Sequence, residues 1–276
     1  MSLRAKSLIF RIIVEILLIL LSLLIIVPLL LMLLGSFMNS VEVMQFRIQL
    51  PEKWLFSNYL TVFEKGGLGR AFLNGIVITA ISCIVNIVTS SAAAFILARR
   101  ESKLSSFLYL FFFMGLIAPM STITTIRVVQ WMGFYGSITS VVFIYAALNT
   151  AFSIFLYTGF VKSLPRALDE AAFIEGANIF QVYFRIVTPL LLPVNATVAI
   201  MVFMGVWNDI TIPLYFLPDS SNWTMPLSVY NFYGMYSREW NLIFADLVLT
   251  SLPVIILYVF AQRFIVSGMT AGAMKG

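Results

Sequence analysis

The chain has 276 residues, 61% of them hydrophobic and 11% charged, with a mean hydropathy of +0.99. A soluble domain carries about 25% charged residues, so this chain has too little charge to cover a water-facing surface, and lipid has to cover much of it. The net charge of +5 comes from lysines and arginines at the ends of apolar runs, a membrane-topology bias rather than a nucleic-acid-binding surface.

Arg4, Lys6 and Arg11 precede an almost wholly apolar run, 12–34. That run exceeds the roughly 7–15 residues of a signal-peptide core, and no small-x-small cleavage site follows it, so it reads as a first span. At about 1.5 Å per residue it crosses a hydrocarbon core of about 30 Å. Pro28 is placed to kink it, and Glu15 lies close enough to the basic end to reach the interface. Residues 35–71 form a mixed loop in which Trp54, Phe56 and Tyr59 read as interfacial aromatics. A second span, 72–98, contains the small run Ser90 to Ala94, suited to close helix packing, and Asn86, whose amide should face protein or a cavity.

The basic turn Arg99-Arg100-Glu101-Ser102-Lys103 leads into a third span, 104–126, with Pro119 in its second half. A tight connection precedes a fourth span, 137–161, which carries Asn149. A polar-bearing segment, 162–189, separates it from a fifth span, 190–214, with Asn195 near its start. A loop at 215–242 is rich in Asn, Asp, Ser, Trp and Tyr, and a sixth span, 243–264, carries Asp246 and Pro253. The spacing thus predicts an all-α integral membrane protein of six transmembrane helices in one membrane domain, 1–276.

Six spans put both termini on one side. Of the 17 Lys and Arg residues, eleven fall on that side (Arg4, Lys6, Arg11, Arg99, Arg100, Lys103, Lys162, Arg166, Arg185, Arg263, Lys275) and six on the other (Arg47, Lys53, Lys65, Arg70, Arg127, Arg238). The positive-inside bias places the termini and segment 162–189 in the cytoplasm and the loops 35–71 and 215–242 outside.

Within the polar-bearing segment, Leu164-Pro165 suits a helix start, and Asp169 and Glu170 favour a first turn against the helix dipole. Phe173, Ala177, Phe180, Phe184 and Val187 recur on one helical face. Gly176 costs about 1 kcal/mol inside a helix, so two short helices bent at Gly176-Ala177-Asn178 account for the pattern as well as one helix does. A membrane-surface helix would favour Lys and Arg on its polar face. This segment balances Lys162, Arg166 and Arg185 against Asp169, Glu170 and Glu175, which suits a protein partner. The small Ala171, Ala172, Gly176 and Ala177 leave a low surface for that partner's side chains.

Chemistry within the chain is narrowly bounded. Histidine is absent and Cys83 is the single cysteine, which removes His-based triads, His metal sites and an intrachain disulfide. The sequence has no G-x4-G-K-[ST]; Gly66-Gly67-Leu68-Gly69 lacks the Lys-Ser/Thr and reads as a loop hinge.

The run SLPRALDEAAFIEGANIFQVYFRIVTPLLLP resembles the cytoplasmic EAA loop of ABC-importer permeases, with Glu170-Ala171-Ala172 and then Gly176. The tail AQRFIVSGMTAGAMKG and Gly205-Val206-Trp207-Asn208-Asp209 resemble the carbohydrate-uptake branch, in particular the second permease of maltose-type systems. Partial matches at Pro51 to Phe63, Phe72-Leu73-Asn74 and Thr224-Met225-Pro226-Leu227 extend the likeness over nearly the whole chain. Two positions depart from the pattern: Thr188 stands in a leucine place, and Asn149-Thr150-Ala151 stands where span four often carries proline.

The resemblance implies a coupling helix-turn-helix between helices 4 and 5 of a bacterial cell-membrane protein. It implies a second homologous permease subunit, two ATP-binding-cassette ATPases that bind ATP and Mg in place of any cofactor here, and an extracytoplasmic sugar-binding protein. Carried onto this sequence, Asp169, Glu170, Ala171, Ala172, Gly176, Ala177 and Arg185 serve ATPase coupling, and Met274, Lys275 and Gly276 approach the ATPase dimer. The loop from Leu217 to Asn241 reaches toward the binding protein. Asn86, Asn149, Asn195, Trp207, Asn208 and Asp209 are candidates for the substrate path. The Trp207-Asn208-Asp209 corner equally suits an anchor that ends a span. The competing class is a stand-alone secondary transporter, whose ion-coupling site would have to come from Glu15, Asp209 or Asp246.

Overall fold

The computed structural model describes residues 3–234 and 239–273, with side chains between Phe10 and Gln262. Among the described residues the fold is all-helical. Four helices are long and apolar enough to cross a membrane: Phe10–Gly35, Leu68–Arg99, Ile138–Ser163 and Trp240–Gln262. A bent pair, Ile179–Leu190 with Leu192–Trp207 at 74°, makes a fifth when taken as one span. The chain divides into two compact units, residues 1–69 with 228–252 and residues 70–227 with 253–276.

The first unit contains α1 (Leu3–Gly35), α2 (Ser40–Val43) and α3 (Ser57–Lys65). None of the apolar window of α1 is buried against protein, so its Leu and Ile side chains require lipid or another subunit. Just past its end, Asn58 Nδ2 donates to the carbonyls of Ser36 (2.8 Å) and Met38 (2.9 Å), and Asn241 Nδ2 donates to Asn58 Oδ1 (3.2 Å). Those carbonyls lie in the connection between α1 and α2, outside either helix's ladder, and a buried amide is a cheap way to satisfy them.

The second unit is built on α4 (Leu68–Arg99), α5 (Lys103–Met114), α6 (Thr122–Trp131) and α7 (Ile138–Ser163). After α7 come α8 (Ala167–Ile174), α9 (Ile179–Gln181), a π-helical turn Val182–Val187 and α10 (Thr188–Leu190). They lead into α11 (Leu192–Trp207), α12 (Thr211–Phe216) and α13 (Met225–Ser228); α14 is Trp240–Ala273. Its core gathers Ile78, Ala94 and Phe95 of α4, Val141, Tyr145 and Tyr157 of α7, and Val198 and Val202 of α11. Asn86, fully buried, stitches two of these helices together: its Nδ2 donates to Ala146 O (3.2 Å) and its Oδ1 accepts from Ser153 Oγ (2.6 Å).

Two apolar runs are not the continuous helices the sequence suggests. The run 104–126 breaks after Met114 and resumes only at Thr122. Gly115 caps the first piece, while Pro119 lacks an N–H and disfavours helix at Ala118, so apolarity alone does not carry a helix through. The run 190–214 breaks at Asn208 to Ile210, between α11 and α12. Upstream, Pro189 cannot donate to a preceding carbonyl. The ladder shifts to a π-turn there, in which the Thr188 N–H and its Oγ1 (2.8 Å) both donate to Tyr183 O. Thr188, the departure from the leucine pattern, thus has a local function as a hydroxyl donor.

Candidate functional site

The segment after α7 folds into two short helices joined by a tight turn. Leu164 is extended (ψ 136), the conformation a following proline favours, and this ends α7. Helix α8 then starts with Asp169 and Glu170 in its first turn, beside the helix's positive end. It closes in a Schellman motif: Ala177 N–H donates to Ala172 O (2.9 Å) and Gly176 N–H to Phe173 O (3.0 Å). Gly176 is left-handed (φ +86) with open space where a Cβ would stand, so its requirement is conformational rather than steric. Asn178 and Gln181 then form a reciprocal capping box that starts α9 (2.8 and 3.0 Å).

The predicted coupling residues divide between two faces. Glu170, Ala171, Gly176 and Arg185 are exposed, Ala177 is half-buried, and Ala172 is buried in the core. Asp169 points inward. Its Oδ2 lies 2.6 Å from Arg99 Nε, with both side chains nearly buried, and Arg99 Nη1 donates to Leu164 O (3.2 Å). The Arg99–Asp169 approach is an ion-pair contact rather than an aligned hydrogen bond, and Arg99 Nη2 has no hydrogen-bond partner among the described residues. On the outer face, Phe173, Ile174, Ile179, Phe180 and Phe184 stand exposed around the turn, Ile174 by 86% and Phe180 by 71%. The two short helices and the π-turn therefore offer an exposed apolar surface beside a polar rim of Glu170, Glu175 and Arg185.

A family model for the inner membrane component of binding-protein-dependent transport systems matches residues 86–271. The chain belongs to this family. It is 34% identical over 258 residues to the probable starch degradation products transport system permease protein AmyC of Thermoanaerobacterium thermosulfurigenes, covering 93% of this chain and 94% of that protein. It is 33% identical over 233 residues to the melibiose/raffinose/stachyose import permease protein MelC of Bacillus subtilis (strain 168), covering 81% and 84%. Its fold matches a chain in the crystal structure of a bacterial ABC transporter involved in the import of the acidic polysaccharide alginate. There the TM-score is 0.83 at 21% identity, covering 95% of this chain and 98% of that one. The protein is a multi-pass membrane permease, a transport subunit rather than an enzyme.

Most of the permease's substrate-path candidates are engaged in packing. Asn86 is the helix stitch described above. Asn149 Nδ2 donates to Tyr145 O one turn back (2.8 Å), and Asn195 Oδ1 accepts from Tyr157 (2.7 Å). Trp207 is buried, stacked on Phe203 (5.6 Å, 5°) and edge-on to Phe72 (5.9 Å). Asp209 accepts from Tyr145 (2.9 Å) and from the N–H groups of Thr211 (2.8 Å) and Ile212 (3.2 Å), which starts α12 after the break. Asn208 alone of that corner is exposed, and its Nδ2 donates to Met204 O (2.9 Å). Asp246 accepts from Ser228 (3.1 Å) and Thr250 (3.0 Å). Asp209 and Asp246, two of the ion-coupling candidates, thus already hold internal donors.

Met274, Lys275 and Gly276 lie outside the described residues. The loop after α12 is pinned at its base, where Asn74 Nδ2 donates to Ser221 O (2.9 Å) and Trp223 O (3.1 Å). In that loop Asp219 caps Ser221, and those hydrogen bonds hold its carboxyl below the usual range. Sequence reasoning missed Arg99, Ser91 and Tyr183, which tie segment 162–189 to α4. Arg99 was visible only as topology charge; no pattern marks Ser91 or Tyr183 as partners.

Proposed function

We propose that the permease is one of two homologous membrane subunits of an ATP-driven bacterial importer for oligosaccharides, and that residues 162–189 dock onto a cytoplasmic ATPase. The observation that carries the docking role is the exposed apolar turn around Gly176. Five large apolar side chains there face outward at the end of a membrane helix, too polar-rimmed for lipid and too large to stay in water. The named relatives of AmyC and MelC type, with starch products and melibiose, raffinose and stachyose in their names, support an oligosaccharide cargo.

In this reading the six passes are α1, α4, the interrupted α5–α6 pair, α7, the bent α9–α11 pair with α12, and α14. Both termini lie in the cytoplasm, as the basic residues suggest. The exposed, non-helical stretch from Gly115 to Ser121 supports a second subunit, because irregular backbone at membrane depth has to be covered by protein or line a wet cavity. ATP and Mg belong to the ATPase pair. An external sugar-binding protein delivers cargo to the side of loops 35–71 and 215–242, and Asn208 is the exposed residue of the Trp207-Asn208-Asp209 corner that can meet it or its cargo. The work of this subunit is a two-state rearrangement biased by ATP binding at the docked partner.

The test is co-expression with the neighbouring permease and an ATPase of this transporter class. The expected result is a stable complex that takes up labelled maltotriose or raffinose only with ATP. Uptake by this chain alone on an ion gradient would overturn the proposal.

A further inference from the structure

We infer that the docking segment drives α4, the second long helix, as one rigid body, through fastenings centred on the Arg99–Asp169 ion pair. This rests on the docking reading above. In sequence the segment joins α7 to α11, so those two helices are the obvious recipients of any push. In space its hydrogen bonds and ion pairs to other helices go to α4 and its end, while Lys162 Nζ sits over the Tyr109 ring of α5 (5.4 Å).

Five contacts carry the inference. Asp169 on α8 meets Arg99 at the last residue of α4, with both side chains nearly buried. The same guanidinium reaches Leu164 O, at the entry to the segment. Arg166, just before α8, pairs with Glu101, just after α4, at 2.5 Å. About two turns up α4, the Ser91 and Tyr183 hydroxyls are hydrogen-bonded at 2.7 Å, and the Tyr183 ring tilts against Phe95 at 5.6 Å. These two ion pairs are the ones formed among the described residues, and both join the segment to the same helix end.

They are unequal. The Arg166–Glu101 pair is exposed and screened, so it contributes little. The Arg99–Asp169 pair is shielded, and removing one partner leaves a charge without its counter-ion. The small side chains on this end of α4, Ala94 and Ala98, are buried in the same core as Ala172 and Val182 of the segment. Small residues allow close approach, and close-packed surfaces transmit displacement rather than absorb it. Asp169 and Arg99 are positioning residues: Asp169 faces away from the exposed docking surface and acts through Arg99.

The experiment uses the assembled importer with Cys83→Ala, so that introduced thiols are the only ones in this chain. R99Q, D169N and the double variant R99C/D169C are compared for ATPase co-purification, ATP hydrolysis, and maltotriose or raffinose carried per ATP. All three should keep the ATPase and hydrolyse ATP, while sugar carried per ATP falls at least fivefold. A short bifunctional thiol reagent joining the two cysteines should restore that ratio to within about twofold of the parent.

An unchanged ratio in R99Q and D169N overturns the inference. So does a cross-link that arrests transport, since that makes the joint a moving one. Loss of the ATPase from D169N but not R99Q assigns Asp169 to direct contact and overturns it too. If the Arg99 variants do not reach the membrane, Y183F, which keeps the ring against Phe95, should lower the ratio in the same direction by a smaller factor; an unchanged ratio there contradicts the inference. A parent protein that never holds the ATPase refutes docking itself.

Discussion

Two polar interruptions of the apolar pattern attracted the same suspicion, the turn around Gly176 and the corner Trp207-Asn208-Asp209, and they are built in opposite ways. At the corner, Trp207 is buried between Phe203 and Phe72, and Asp209 caps α12 and accepts from Tyr145. Around Gly176 the polar groups are equally well satisfied, by a Schellman motif and a capping box, yet the large apolar side chains point outward. A polar group inside a membrane protein is a poor guide to function once its hydrogen bonds are complete. Apolar surface at the end of a helix, held rigidly by a well-capped turn, is a better one.

The contrast can be broken first at the turn. Ile174→Glu or Phe180→Glu puts a charge into the exposed apolar face. It should weaken ATPase co-purification by at least about tenfold, about 1.4 kcal/mol, while thermal stability moves by no more than about 0.5 kcal/mol, as for other surface positions. Equal loss of stability and assembly would make the face part of the core.

Substitution at the helix stitch should do the reverse. Asn86→Ala leaves Ser153 without its acceptor and should cost about 1–3 kcal/mol of stability. Transport per assembled complex should stay near the parent value, and a selective loss of uptake would return Asn86 to the substrate path. Gly176→Val forces a β-branched residue into the left-handed region at about 1–2 kcal/mol. Gly176→Asn should recover most of it, because open space surrounds the position; thermal melts of the purified complex compare the two. Asp209→Ala should cost about 1 kcal/mol, the usual loss of a helix cap, measured the same way.

The smallest effect concerns pH. Asp219 is exposed, and its hydrogen bonds to Ser221 lower its folded pKa. A depressed carboxylate stabilises above its unfolded value near about 3.9 and loses that contribution as pH falls through the folded value. Once the pH dependence of free-amide exchange is divided out, protection of the loop after α12 should therefore stay even between pH 5 and 8 and fall only below about 4. Loosening at pH 6 would point to a different group.

Much of the fold was legible because apolar runs of sufficient length have few alternatives in a bilayer. The turn was legible too, since Gly176 inside a helical pattern carries a cost that a C-terminal cap removes. The break after Met114 was less so: Gly115 and Pro119 were visible, but an unbroken apolar run hides an interruption that only covering protein or water makes affordable. The Arg99–Asp169 pair was not legible at all. Its partners belong to different helices, and each had a sufficient local explanation, one as inside charge and the other as a first-turn acid. The π-turn at Val182–Val187 likewise depends on Thr188 donating to Tyr183 O, a use for threonine that substitution patterns do not announce.

The most direct test of docking is a photo-activated cross-linking residue in place of Ile174, the most exposed large apolar side chain of the turn, in the importer assembled in native membranes. The account predicts a covalent adduct with the ATPase subunit, strengthened or shifted when ATP is added. Adducts with phospholipid instead would make the segment a membrane-surface helix and contradict the account.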